Sequence, residues 1–147
     1  MIFDKIIPSQ ILQPCVKELW YLEFEKKDLP FTQLWIPYNW FEFYCIFEIN
    51  ENKTDRTFTN STFAGQFSSA FTVSYNKPIQ VVGANLQPWA GNLIHGIPAN
   101  EFSNSYIGIN DLEPNSSIIP KMEGAKTKAE ILANFEQYLL EKLERFI

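Results

Sequence analysis

At 147 residues the chain has the length of one domain and can bury a substantial core. Its 12 basic and 17 acidic residues leave a formal charge of −5, and the basic ones are scattered, which argues against a surface for duplex DNA or RNA. A hydrophobic fraction of 46% fits a globular protein, and the 16% of aromatic residues, led by 13 Phe, fits either a β-rich core or a ring-lined cavity.

The opening MIFDKIIPSQ lacks the charged cap and apolar run of a signal peptide. No apolar run approaches membrane-spanning length, and no basic amphipathic helix suggests membrane attachment, so a cytoplasmic protein is expected. A short helix or turn is predicted near Ser9–Pro14, since Pro8 can enter a first turn. Val16–Glu25 alternates as a strand, with Val16, Trp20, Leu22 and Phe24 on one face and Leu19, Tyr21 and Glu23 on the other. Lys26–Pro30 reads as a charged loop, and Phe31–Pro37 and Phe41–Asn50 read as extended segments separated by a break. Glu51–Asp55 is a polar turn, and Arg56–Ala64, Phe67–Tyr75 and Ile79–Leu86 continue the β pattern. Gly83 inside the last of these signals a bulge or a close backbone approach.

Six or seven short strands with frequent turn signals favour a barrel or sandwich over an α/β sheet. After Gln87-Pro88 the character changes. Trp89–His95 is predicted as one or two helical turns stopped by Gly96, Pro98–Phe102 as another short helix, and Tyr106–Ile109 as a last strand. Asp111–Ser117 is loop. Thr127 and Glu130 form a T-x-x-E capping box that opens a helix running to Ile147, with Ile131, Leu132, Phe135, Leu139, Leu143 and Phe146 at helical spacing. Ala133, Leu140 and Ile147, spaced by sevens, make a second stripe that suits a partner helix. The pattern has no stop signal at the last residue, which suits either a chain cut from a longer protein or a frayed end.

The densest signal is Leu34–Asn50, LWIPYNWFEFYCIFEIN. Phe41, Phe43, Cys45, Phe47 and Ile49 fall on one face and Trp40, Glu42, Tyr44, Ile46 and Glu48 on the other. The first face is core. The second is an aromatic wall dotted with carboxylates, and Glu42 between Trp40 and Tyr44 is placed to anchor a cationic or hydroxyl-bearing ligand or to face solvent in an ion pair. Trp35, Trp40, Glu42 and Tyr44 are the candidate lining of a cavity for a small, mainly apolar ligand, with Trp89 at its mouth. Glu42 and Glu48 would lie roughly 20 Å apart along a strand, too far for a paired-carboxylate mechanism.

Other chemistry is sparse. His95 is the only histidine and suits a helix C-terminus, where the dipole favours its positive form. Cys15 and Cys45 stand alone and read as buried thiols, a single disulfide being the alternative, so no metal and no cofactor is expected. Neither Gly65 nor Gly83 opens a helix with phosphate-loop spacing.

Three stretches carry a resemblance. Pro8-Ser9 with Leu12, Val16, Trp20 and Tyr21, then Ile36-Pro37-Tyr38-Asn39-Trp40-Phe41-Glu42-Phe43, then Leu86-Gln87-Pro88-Trp89-Ala90 through Ile97-Pro98-Ala99-Asn100-Glu101-Phe102-Ser103-Asn104 resemble the N-terminal sensor domain of AraC/XylS-type transcription regulators, in a subgroup with no assigned ligand. Tyr38-Asn39 and Trp89-Ala90 depart from the acidic-glycine and glycine pairs of that pattern. The resemblance implies a single sensor domain over 1–147: a mainly β, α+β fold with a cupin-like small β-barrel over about 1–110, then short helices and a linker or dimerisation helix over about 127–147. It also implies a small-molecule effector, homodimerisation, and DNA contact only through a C-terminal helix-turn-helix domain that this chain lacks. The alternative is a stand-alone barrel enzyme, an isomerase or hydrolase using Glu42 and Tyr44; a third reading is an interaction module with a filled barrel.

Overall fold

Period-two alternation and one capped amphipathic helix account for most of the architecture. The computed structural model describes residues 1–36, 40–50, 55–65, 67–96, 106–108 and 118–144. Eight strands occur in them: β1 (Ile2–Ile6), β2 (Val16–Phe24), β3 (Phe31–Trp35), β4 (Phe41–Ile49), β5 (Arg56–Ala64), β6 (Phe71–Tyr75), β7 (Ile79–Leu86) and β8 (Tyr106–Gly108). Three α-helices accompany them, α1 (Ala90–His95), α2 (Ile118–Glu123) and α3 (Lys128–Leu143), and a short 3-10 turn, Lys26–Asp28, stands where a charged loop is expected. The predicted helix at 98–102 and loop at 111–117 lie outside the described residues.

The fold is mainly β, of the α+β class, with all strand pairs antiparallel. Six strands form one sheet in the order β1-β2-β7-β4-β5-β8, and β3 and β6 pair as a separate ribbon. The chain leaves the sheet after β2 to make β3 and again after β5 to make β6, so two excursions build the ribbon over one sheet face. Among the described residues the ladder is open, with β1 and β8 at its edges, so hydrogen bonds do not close it into a barrel.

The opposite face carries the helices. Phe41, Phe43, Cys45 and Phe47 of β4 are at most 1% exposed and point there, as their alternation predicts. Phe43 stacks on Phe135 of α3 with ring centroids 5.1 Å apart and meets Tyr138 at 5.5 Å. Thr127 caps α3, its Oγ1 accepting from the Glu130 N–H at 3.1 Å, while the Glu130 carboxylate accepts from the Lys126 N–H at 2.8 Å. Ile131, Phe135, Tyr138, Leu139 and Leu143 are the buried stripe of this helix.

Two irregularities re-aim side chains. Across β4 and β5 the register shifts between Ile46 opposite Asn60 and Phe47 opposite Phe58, leaving Thr59 extra. That bulge turns Phe58 into the helix-side core beside Phe47, while Asn60 and Thr62 face the ribbon. A second shift between Val16 and Glu18 puts Val16 in the helix-side core, opposite to the face that strict alternation assigns it.

A buried polar chain ties the layers together on the helix side. The Tyr21 hydroxyl donates to Glu23 Oε1 at 2.7 Å, and Gln80 Nε2 donates to the same oxygen at 3.0 Å. Arg56 Nε donates to Gln80 Oε1 at 2.6 Å, and its Nη1 donates to the carbonyls of Met122 and Ala125. A sheet arginine thus satisfies carbonyls at the end of α2, groups a helix cannot satisfy itself.

Candidate ligand-binding site

Between the sheet and the ribbon lies a cavity of about 310 Å³. Its floor is the second face of the alternating strands: Trp20 and Leu22 of β2, Glu42, Tyr44 and Ile46 of β4. Asn60, Thr62 and Ala64 of β5 and Val81 of β7 extend that floor. Trp35 of β3, Phe71 and Tyr75 of β6, and Phe67 before it supply the roof. Phe24 packs between sheet and ribbon, its ring 4.9 Å from those of Phe31 and Tyr75.

The rings are held in place by neighbours. Trp35 stacks on Phe71 with centroids 6.2 Å apart and planes 4° from parallel. Trp20 meets Tyr44 at 6.1 Å, and its indole N–H donates to Asn85 Oδ1 at 3.2 Å. Asn85 Nδ2 donates in turn to Glu18 Oε1 at 2.6 Å. Gly83 sits opposite both Trp20 and Tyr44 in the ladder, and a Cβ there would lie 2.3 Å from Trp20 Cζ2. The glycine is therefore the close approach that its place in an apolar strand signals, and what approaches is the Trp20 indole.

Glu42 is the one carboxylic acid among the described lining residues, which include no Lys, Arg or His. It is 5% exposed. Burial pushes its pKa up to about 7, against the lowering effect of the neighbouring Trp40 indole, and the charge of Glu18 adds to the rise. Tyr75 is raised by burial, opposed by the neighbouring Trp35 indole and reinforced by the Glu42 charge. Its hydroxyl lies 3.4 Å from Gln33 Oε1 as donor. The site is thus an aromatic box holding one proton-exchanging group.

Of the residues singled out in the sequence, Trp35, Glu42 and Tyr44 meet in this wall. Trp40 is half-buried and stands outside the lining beside Glu42, with Lys17 Nζ 4.9 Å over its ring. Trp89 needs correction. It is 56% exposed and lies beside Cys15, a member of the helix-side core, because the chain turns at Pro88 to bury Ala90 under that face. It is not at the mouth of the cavity. Glu48 pairs with Lys77 at 3.3 Å outside it. On α3, Leu140 is half-buried against the molecule's own core and Ala133 is exposed, so the second stripe is interrupted; Ile147 lies outside the described residues.

Sequence reasoning missed Trp20, Phe71 and Tyr75 as lining. The available signal was parity: Trp20 shares its face with Leu22, and Phe71, Val73 and Tyr75 alternate on β6. Both cysteines are free and buried, and burial alone raises the Cys45 thiol far above its ordinary range. Among the described residues no three His, Cys, Asp or Glu side chains converge as metal ligands. No helix among them is long and apolar enough to cross a membrane.

Comparison with known proteins adds one family. Residues 4–108 match the family described as Domain of unknown function (DUF6597), and the chain belongs to it. No curated protein and no solved structure matches the chain.

Proposed function

For this member of the DUF6597 family, we propose the role of effector-sensing and dimerisation domain of an AraC-type transcription regulator. In this reading the domain works in the cytoplasm, binds a small, mainly apolar molecule, and reaches DNA only through a helix-turn-helix domain outside this chain. The observation that carries it is the cavity of about 310 Å³, walled by rings from both the sheet and the ribbon and closed to bulk water around Glu42. Such a concave, apolar site with few fixed polar groups suits a small ligand. The motifs around Trp20, Ile36–Phe43 and Leu86–Ala90 that resemble AraC/XylS sensor domains support the regulatory half of the reading.

The cheapest test is the coding sequence beyond codon 147 in the native gene. The expected result is on the order of a hundred further codons, rich in Lys and Arg, with helix-turn-helix patterning. A stop codon directly after Ile147 would overturn the regulatory role while leaving the cavity to be explained.

One observation favours a second reading, that of a small enzyme. Glu42 has a pKa near 7 and shares its strand face with Tyr44, a combination suited to proton transfer on a small substrate. Turnover that Glu42→Gln abolishes without weakening substrate binding would select this reading over sensing.

A further inference from the structure

We propose that the cavity takes a small organic cation, a protonated amine or quaternary ammonium, with Glu42 as its counter-charge and the rings of Trp20, Trp35, Tyr44, Phe71 and Tyr75 as its cage. The inference rests on reading the cavity as a ligand site, and it narrows the ligand's chemistry.

The lining is unbalanced in charge. It holds one carboxyl, no basic side chain among the described residues, and several aromatic rings. Ring faces are electronegative, so they attract a cation most strongly where water is excluded. Glu42, at 5% exposure, lies on the same wall as Tyr44 and Trp20. A bound anion would meet Glu42 and, behind it, Glu18, with nothing basic in the wall to offset them. With a neutral ligand the carboxyl gains no opposite charge, so it stays protonated up to about pH 7 and is a buried, uncompensated charge above it. A cation satisfies both the carboxylate and the rings.

The charged and titratable groups around Glu42 agree with this. From β2 comes Glu18, which contacts Lys5 at 3.6 Å, and from β6 comes the Tyr75 hydroxyl. Lys17 lies over the outer Trp40 ring. On its two flanking strands Glu42 is opposed by the neutral Ala64 and Asn85. The negative field at the Glu42 carboxyl therefore comes from Glu18 alone, on the sheet side. Because burial holds the Glu42 proton up to about pH 7, a permanent cation must displace that proton to bind below this pH.

Choline and its neutral carbon isostere, 3,3-dimethylbutan-1-ol, separate charge from shape. Each is titrated calorimetrically into the wild-type chain and into Glu42→Gln between about pH 5.5 and 8.5. Near the top of that range, choline is expected to bind wild type about tenfold or more tightly than the alcohol, and Glu42→Gln is expected to erase that preference. In wild type, choline affinity should climb with pH and level off above about 7. Equal or tighter binding of the alcohol to wild type would overturn the cation and leave the ligand site standing. Binding of neither probe would overturn the cation and leave the ligand site standing. If Glu42→Gln does not fold, the wild-type pH profile decides, and a flat profile for choline counts against the inference.

Discussion

Burial of Glu42 imposes a pH dependence on folding that a single substitution isolates. Its pKa rises from 4.5 to about 7 in the folded state, so between those values the native chain holds a proton that the unfolded chain has released. Stability from this group is therefore lost as pH rises through that window, and the penalty is complete above about pH 7. Glu42→Gln, which has no proton to lose, should be more stable than wild type near pH 8 by up to on the order of 3 kcal/mol. The gain should shrink to nothing near the unfolded carboxyl value of 4.5, as read by urea unfolding at several pH values. Gly83 is the second decisive residue. Ala there would drive its Cβ into the Trp20 indole, and the ring cannot swing freely because Asn85 holds its N–H. Gly83→Ala should cost about 1–3 kcal/mol through overpacking and change the tryptophan emission, whereas the more distant Gly96→Ala should leave the emission as it is.

At the scale of elements, much was legible because the long strands β2, β4, β5 and β7 bury a face in the core. The β4 alternation fixed both the face under α3 and the face of the cavity, and Thr127 announced the start of α3. Alternation placed Val16 on the wrong face because a bulge at Lys17 reverses parity there, as another does at Thr59, and nothing in either residue type marks the spot. Strand β1 escaped notice because it is an edge strand, mostly exposed and too short for its pattern to stand out. Helix α2 was hidden by Pro120, which fits because a first-turn N–H has no acceptor within the helix to lose. The ribbon roof over the cavity depends on long-range pairing of β3 with β6, which local pattern does not encode. Helix α3 covers the helix-side core, with Phe135 stacked on Phe43. Phe135→Ala should destabilise the chain by about 3–5 kcal/mol in chemical denaturation. A loss no greater than that of a surface substitution would mean that α3 does not pack on β4 as described.

For the whole molecule, the layers run ribbon, sheet, helices, with the cavity in one interlayer and the dry core in the other. The proposed dimer would use the outer side of α3. Because Leu140 already packs on the molecule's own core, Leu140→Glu should lower both stability and self-association, while the exposed Ala133→Glu should weaken association alone. Sedimentation equilibrium that finds monomer for wild type at high concentration would remove the dimer from the account. The central claim is that the space between sheet and ribbon is where a small ligand binds. Ala64 lines that space opposite Glu42 and is 3% exposed, so Ala64→Leu extends a side chain into it without touching the helix side. The most direct measurement is a thermal-shift screen of small amines, alcohols and acids against wild type and Ala64→Leu. The account predicts compounds that raise the melting temperature of wild type and lose that effect in Ala64→Leu. Compounds that stabilise both chains equally would contradict it.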